Sequence, residues 1–286
     1  MFPVHLKTSS TNFPFFEGFY VVFSIIIGFI VASRSLKKIN LNFYHFLYFV
    51  FTCIISAIIF GKIFHIIFWE RIRSIAEFVG FFKPMQGGTS IIGVIIGCGI
   101  GGLIYCKFSR ISFIVFGYVI TPASALTQGI GRIGCFLNGD AFGKVTNLPW
   151  GVEFKRYGVN LNDLSINKEF SSHAWSWAYQ HGYVTSDSIH TPKMHPTQLY
   201  EAFFDIILAC FLYYIAKQPN NKRIVIYSYI FLYSIFRFFI EYIRADREKV
   251  IILDTSLIQI FLLLISVIFT ILLIYEIKHI KTPAIC

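Results

Sequence analysis

The stretch Phe43–Trp69, FYHFLYFVFTCIISAIIFGKIFHIIFW, decides the fold class. Lys62 is its one Lys, Arg, Asp or Glu. About 20 consecutive apolar residues suffice to cross the hydrocarbon of a bilayer, so this segment spans with length to spare for a tilt or a kink near Gly61. Six further stretches have the same character: residues 18–33, 89–106, 111–128, 198–216, 224–243 and 256–275. The expectation is an all-α, polytopic membrane protein with about seven transmembrane helices, residues 1–286 forming a single integral membrane domain. The 144–194 segment would be a small extracytoplasmic insertion between the fourth and fifth spans.

Composition agrees. The 286 residues are 56% hydrophobic, 19% aromatic and 14% charged, against about 25% charged in soluble domains. That excludes an ordinary water-soluble globule and a disordered tail. The formal charge of +10 would suggest nucleic acid in a soluble chain. Here its distribution points to topology instead, and no nucleic-acid partner is expected. The connections after the first, third and fifth spans carry Arg34, Lys37 and Lys38, then Lys107 and Arg110, then Lys217, Lys222 and Arg223, with no acidic residue. The remaining loops are of mixed charge. The positive-inside rule assigns the first set to the cytoplasm, leaving the N-terminus outside and the C-terminus inside. No basic n-region or small-residue cleavage site precedes the first span, so it reads as a retained helix.

The six cysteines form no CxxC pair and no metal spacing, and no metal or cofactor is expected. Residues 97–102 and 129–134 each match G-x-G-x-x-G, but neither follows a strand of a soluble βαβ unit. The first is better read as a close helix-packing surface. The second opens a glycine-rich stretch holding Arg132, Asn138 and Gly139, where backbone N–H groups and a guanidinium could meet a phosphate. A plain loop with one surface arginine is the competing reading.

Ionisable residues inside a span cost about 2.5–3.5 kcal/mol on insertion scales, which makes them candidates for function. Arg237, Glu241 and Arg244 fall four and seven residues apart, on one helical face. They could fix an anionic head group, or serve as a helix-pinning ion pair with a snorkelling arginine. The fifth span opens His195-Pro196-Thr197-Gln198-Leu199-Tyr200-Glu201, with Gln198, Glu201 and Asp205 on one polar face. Pro196 suits a helix start. His195 at its mouth could move protons near neutral pH or be structural. Together these clusters describe an anionic-ligand site at the outer side of the membrane.

The chain resembles the prolipoprotein diacylglyceryl transferase family. The likeness rests on Gly131-Arg132-Ile133-Gly134-x-Phe136-x-Asn138-Gly139, Pro149-Trp150-Gly151-Val152, the block from His195 to Glu201, and Arg237-x-x-x-Glu241-x-x-Arg244. The resemblance implies a bacterial cytoplasmic (inner) membrane enzyme. It would move the diacylglyceryl group of phosphatidylglycerol to the lipobox cysteine of prolipoprotein signal peptides, forming a thioether and releasing glycerol phosphate. It also implies that Arg132 and Arg237 are the essential lipid-binding arginines, with Glu241 as the partner of Arg237. Asn138, Gly139, Gln198, Glu201 and Arg244 then complete the lipid site, and Arg237, Glu241 and His195 the catalytic group. The chain departs from the family pattern at Ile92, where members carry a histidine proposed as base, and at Glu17, where they carry a tyrosine. His195 or Glu17 is therefore the expected proton acceptor. A protein that binds phosphatidylglycerol without transfer, and a transporter of an anionic lipid, are the alternatives.

Overall fold

The computed structural model describes residues 15–69, 90–156, 172–218, 221–246 and 255–279. These form eight helices: α1 (Phe15–Lys38), α2 (Phe43–Trp69), α3 (Ile91–Ser109), α4 (Phe113–Asn138), α5 (His173–Gln180), α6 (Thr197–Ile215), α7 (Lys222–Ile243) and α8 (Leu257–His279). α2, α3, α4, α6, α7 and α8 are long and apolar enough to cross a membrane. α1 covers the first expected span. Many large apolar side chains on these helices face outward, among them Ile54, Ile58, Leu103, Phe203, Phe261 and Ile271. Outward faces of this kind fit a hydrocarbon solvent. The protein is polytopic and all-helical, as its hydropathy predicts.

The chain divides into two compact units, Ser33–Val119 and Met1–Ala32 with Ile120–Cys286. In the first, α2 and α3 meet along a stripe of glycines. Gly93, Gly97 and Gly101 oppose Phe60, Ser56 and Thr52, and an added Cβ at each would lie within 3 Å of the facing carbonyl oxygen. Four-residue spacing keeps the three on one face, so the backbones run in direct contact. Ser90 caps α3 through Gly93 N–H at 3.5 Å, and its own N–H donates to the Gly61 carbonyl at 3.0 Å. Phe49 stacks on Phe116 at 4.2 Å between centroids, with Tyr105 edge-on to both.

The second unit carries the candidate residues. Here the structure corrects one expectation. The fourth span, expected over 111–128, does not stop there: α4 runs on through Gly129, Gly131 and Gly134 to Asn138, so the backbone N–H groups expected to meet a phosphate, or to form a plain loop, lie within a helix. Gly129 lies against Ala202, Asp205 and Ile206 of α6, and Gly134 against Tyr20 of α1, with an added Cβ 3.0–3.1 Å from its neighbours. Close helix packing thus outweighs the low helix propensity of glycine. α4 ends at Gly139, whose φ of 75° suits a residue without Cβ. Gly139 N–H bonds the Phe136 carbonyl at 3.2 Å and Asp140 N–H the Cys135 carbonyl at 3.0 Å, the paired bonds of a Schellman stop.

Beyond α4 the chain makes isolated antiparallel bridges, with Met194 paired to both Val145 and Val152. Phe136, Phe142, Phe154, Ala174 and Met194 form its buried core. Trp175 of α5 stacks on Tyr179, and the buried Arg156 guanidinium lies 4.7 Å from the Trp175 ring centroid. Backbone bonds Gly143 to His195 (2.9 Å), Lys144 to Ile243 (2.8 Å) and Ala245 to Phe142 (3.2 Å) tie this segment to the ends of α6 and α7. The tie holds the ends of the helices that bear the candidate residues.

Candidate anion site at the helix ends

α4, α6 and α7 bring their polar faces together at one end. Arg132 sits six residues before the end of α4, Glu201 in the second turn of α6, and Arg237 and Glu241 in the last two turns of α7. Glu201 is the hub. Its Oε2 pairs with Arg132 Nε, and its Oε1 lies 3.0 Å from an Arg237 terminal nitrogen and 3.8 Å from one of Arg244. Arg237 also reaches Glu241 at 2.8 Å, and Arg244 grips Asp246 through two bonds of 2.8 and 2.6 Å. Glu201 and Glu241 are almost fully buried (4% and 3% side-chain exposure), while Arg132, Arg237 and Arg244 keep 20%, 15% and 13%. The carboxylates are thus enclosed and the guanidiniums turned outward.

Each guanidinium has five N–H groups, and one carboxylate offers about four lone-pair sites. Three arginines converging on Glu201 therefore retain donors for a further anion. Their geometry is pre-set by the ion pairs, which suits planar, bidentate recognition of an oxyanion such as phosphate. Below the cluster, Tyr229 donates to Gln128 Oε1 at 3.0 Å, and Gln128 Nε2 donates to the Tyr233 hydroxyl at 2.8 Å.

Of the residues singled out from sequence, Arg132, Glu201, Arg237, Glu241 and Arg244 come together. Asn138 and Gln198 form an adjoining group on Asp140: the Asn138 amide donates to its carboxylate and Gln198 Nε2 to its carbonyl. Gly139 serves as the helix stop between them. His195 belongs to a separate group. Its Nδ1 lies 3.4 Å from the Tyr200 hydroxyl, which accepts from Trp150 Nε1 at 2.8 Å. Burial pushes the His195 imidazole below its ordinary value, so it is neutral at pH 7. The Glu17 side chain lies outside the described residues, and Ile92 is exposed on α3.

Sequence reasoning missed Asp246, Gln128 and Tyr233 as members of the cluster. Tyr233 lies four residues before Arg237, and Gln128 four before Arg132, so helical periodicity was the available signal. Asp246 follows α7 and has no such signature.

Residues 15–275 match the family described as prolipoprotein diacylglyceryl transferase. The phosphatidylglycerol–prolipoprotein diacylglyceryl transferase of Clostridium tetani (strain Massachusetts / E88) is 31% identical over 252 residues, covering 87% of this chain and 89% of the relative. Transferase 1 of Clostridium perfringens (strain 13 / Type A), of the same name, is 33% identical over 80% of this chain and 78% of its own. The Clostridioides difficile (strain 630) protein of that name is 30% identical over 80% and 78%.

Proposed function

The chain belongs to the prolipoprotein diacylglyceryl transferase family, and from that premise we propose that it transfers the diacylglyceryl group of phosphatidylglycerol to the lipobox cysteine of prolipoproteins in the bacterial cytoplasmic membrane. The observation that carries the reading is the convergence of Arg132, Arg237 and Arg244 on the buried Glu201. The reaction substitutes at the diacylglyceryl carbon bonded to the phosphate oxygen. A cysteine thiolate attacks, since the thiolate and not the thiol is the nucleophile. The C–O bond breaks and glycerol phosphate leaves, so negative charge grows on the phosphate as the carbon departs.

Arginines fixed in advance stabilise that growing charge more than they stabilise the resting diester, which is the condition for catalysis. Glu201 and Glu241 hold them, so little reorganisation accompanies the charge transfer. Exclusion of water by surrounding helices and lipid strengthens each interaction. Arg132 and Arg237 bind the phosphate in this account, Arg244 extends the cradle, and Asn138, Gly139 and Gln198 keep its rim in shape through Asp140. The neutral His195 stands at the start of α6, within reach of the extramembrane segment from which a signal peptide would approach.

A second reading, binding without transfer, draws on Ile92, which stands where the family carries a histidine. Complementation separates the two. In a bacterial strain depleted of its own transferase, expression of the full chain is expected to restore lipidation of a reporter lipoprotein, and a reporter with the lipobox Cys changed to Ser remains unmodified. A well-expressed, membrane-inserted chain that leaves the reporter unlipidated overturns the transferase reading.

A further inference from the structure

One buried ionisable group takes no part in the ion-pair cluster. Asp205 is 1% exposed, and neither of its carboxyl oxygens has a hydrogen-bond partner among the described residues. It lies one turn along α6 from Glu201, toward the middle of the helix and away from the arginine-bearing end. The rungs of α4 and α6 correspond: Arg132 meets Glu201, and three residues earlier Gly129 meets Asp205, with an ideal Gly129 Cβ only 3.1 Å from Asp205 Cβ. The charged or titratable groups around Asp205 are Glu201 on its own helix, Arg132 on α4, and Tyr229 and Tyr233 on α7. The proton of Tyr229 is committed to Gln128.

An ionised carboxylate enclosed without donors is a costly state, and a proton removes the charge. The cluster points the same way. Arg132, Arg237 and Arg244 already face Glu201, Glu241 and Asp246, so a fourth ionised carboxylate beside them has no matching cation. Resting on the transferase reading, we propose that Asp205 enters the reaction as a neutral carboxylic acid and donates its proton to the phosphate oxygen that leaves the diacylglyceryl carbon. With the phosphate among the arginines and the acyl chains directed toward the helix middles, that oxygen lies on the tail side of the phosphorus. Asp205 occupies the same side.

The step balances. The sulfur electron pair forms the C–S bond, and the C–O pair passes to the phosphate oxygen. The Asp205 proton joins that oxygen, and glycerol phosphate departs as a monoanion. The thiol gives up its proton to water before it attacks, and the Asp205 carboxylate left behind takes a proton back from water as glycerol phosphate departs, so the net change is one proton passed from sulfur to phosphate.

The test uses the full-length protein in phosphatidylglycerol-containing bilayers, with Asp205→Asn and Asp205→Glu variants. At neutral pH the wild-type infrared spectrum is expected to contain a protonated-carboxyl C=O band that Asp205→Asn lacks. Asp205→Asn should lower kcat by about 100-fold or more, the usual share of a general acid, with KM for phosphatidylglycerol unchanged and the alkaline limb of the pH–rate profile gone. Asp205→Glu should regain part of kcat. Wild-type kcat in Asp205→Asn, or a fall in kcat matched by lost lipid binding, overturns the proposal. If the Asn variant does not fold, the wild-type band decides alone: its absence at neutral pH overturns the role, and its titration together with the alkaline limb supports it. A wild-type protein that transfers nothing fails the functional reading itself, whereas an active wild type indifferent to Asp205 fails only this step.

Discussion

Replacing Glu201 by Gln removes the charge that gathers three arginines while preserving side-chain shape. The structure says where the loss falls. Arg237 retains Glu241 at 2.8 Å, and Arg244 retains its two bonds to Asp246. Arg132 has no second carboxylate in ion-pair range among the described residues, and its side chain is only 20% exposed. Removing one partner of a buried pair costs about 3–5 kcal/mol. Since a single arginine bears most of it, the lower end, about 3 kcal/mol, is expected. That is a cost to the fold; for diacylglyceryl transfer, an Arg132 no longer held in place loses the share of one pre-positioned donor, about 2.7–4 kcal/mol, and kcat/KM falls roughly a hundredfold or more. The assay is initial-rate transfer to a lipobox peptide, run as a double-mutant cycle with Arg132→Gln. If Glu201 acts by holding Arg132, the double variant is little worse than either single one, with a coupling of about 3 kcal/mol. Strict additivity, or a Glu201→Gln enzyme with wild-type kcat/KM, refutes the reasoning.

Three more outcomes follow from the geometry. Gly97→Leu drives a side chain into the Ser56 carbonyl, 2.5 Å from the ideal Cβ position; overpacking of about 1–3 kcal/mol should lower the thermal midpoint of the detergent-solubilised protein, and an unchanged midpoint contradicts the α2–α3 contact. Gln198 is fully buried and donates to the Asp140 carbonyl, so Gln198→Ala should cost about 1–3 kcal/mol of stability in the same assay. Partial burial holds the His195 imidazole below its ordinary value of about 6.5. The unfolded chain therefore takes up its proton first as pH falls, and stability is lost on acidification through that value. His195→Gln should reduce this acid sensitivity, as read from thermal midpoints between about pH 7 and 5.

The spans were legible because a bilayer demands contiguous apolar residues, and Phe43–Trp69 or Leu257–His279 leave no other interpretation. The shared face of Arg237 and Glu241 was legible from helical periodicity, whereas Arg244, expected on the same face, follows the end of α7 with extended backbone and reaches Glu201 from there. The α2–α3 contact was visible in Gly97 and Gly101, since glycines at four-residue spacing have little use in a helix except close approach. The hub was not. Glu201, Asp205 and Glu241 are all carboxylates on polar helix faces, and which one meets Arg132 depends on how the rungs of α4 and α6 align. That alignment is set by Gly129 packing on Asp205, a contact 76 residues apart in the chain. Gly129 and Gly134 misled the reading of where α4 ends, because each costs helix stability of about 1 kcal/mol relative to Ala, and packing on α6 and Tyr20 offsets it.

The central claim is that arginines held on Glu201 cradle the phosphate of a lipid whose diacylglyceryl group is being moved. The direct measurement incubates the purified full-length protein with phosphatidylglycerol and a lipobox peptide, then weighs the peptide and quantifies free glycerol phosphate. The account predicts a peptide heavier by one thioether-linked diacylglyceryl group, one glycerol phosphate released per peptide modified, and loss of both with Arg132→Gln. An unmodified peptide in the presence of bound phosphatidylglycerol would contradict it.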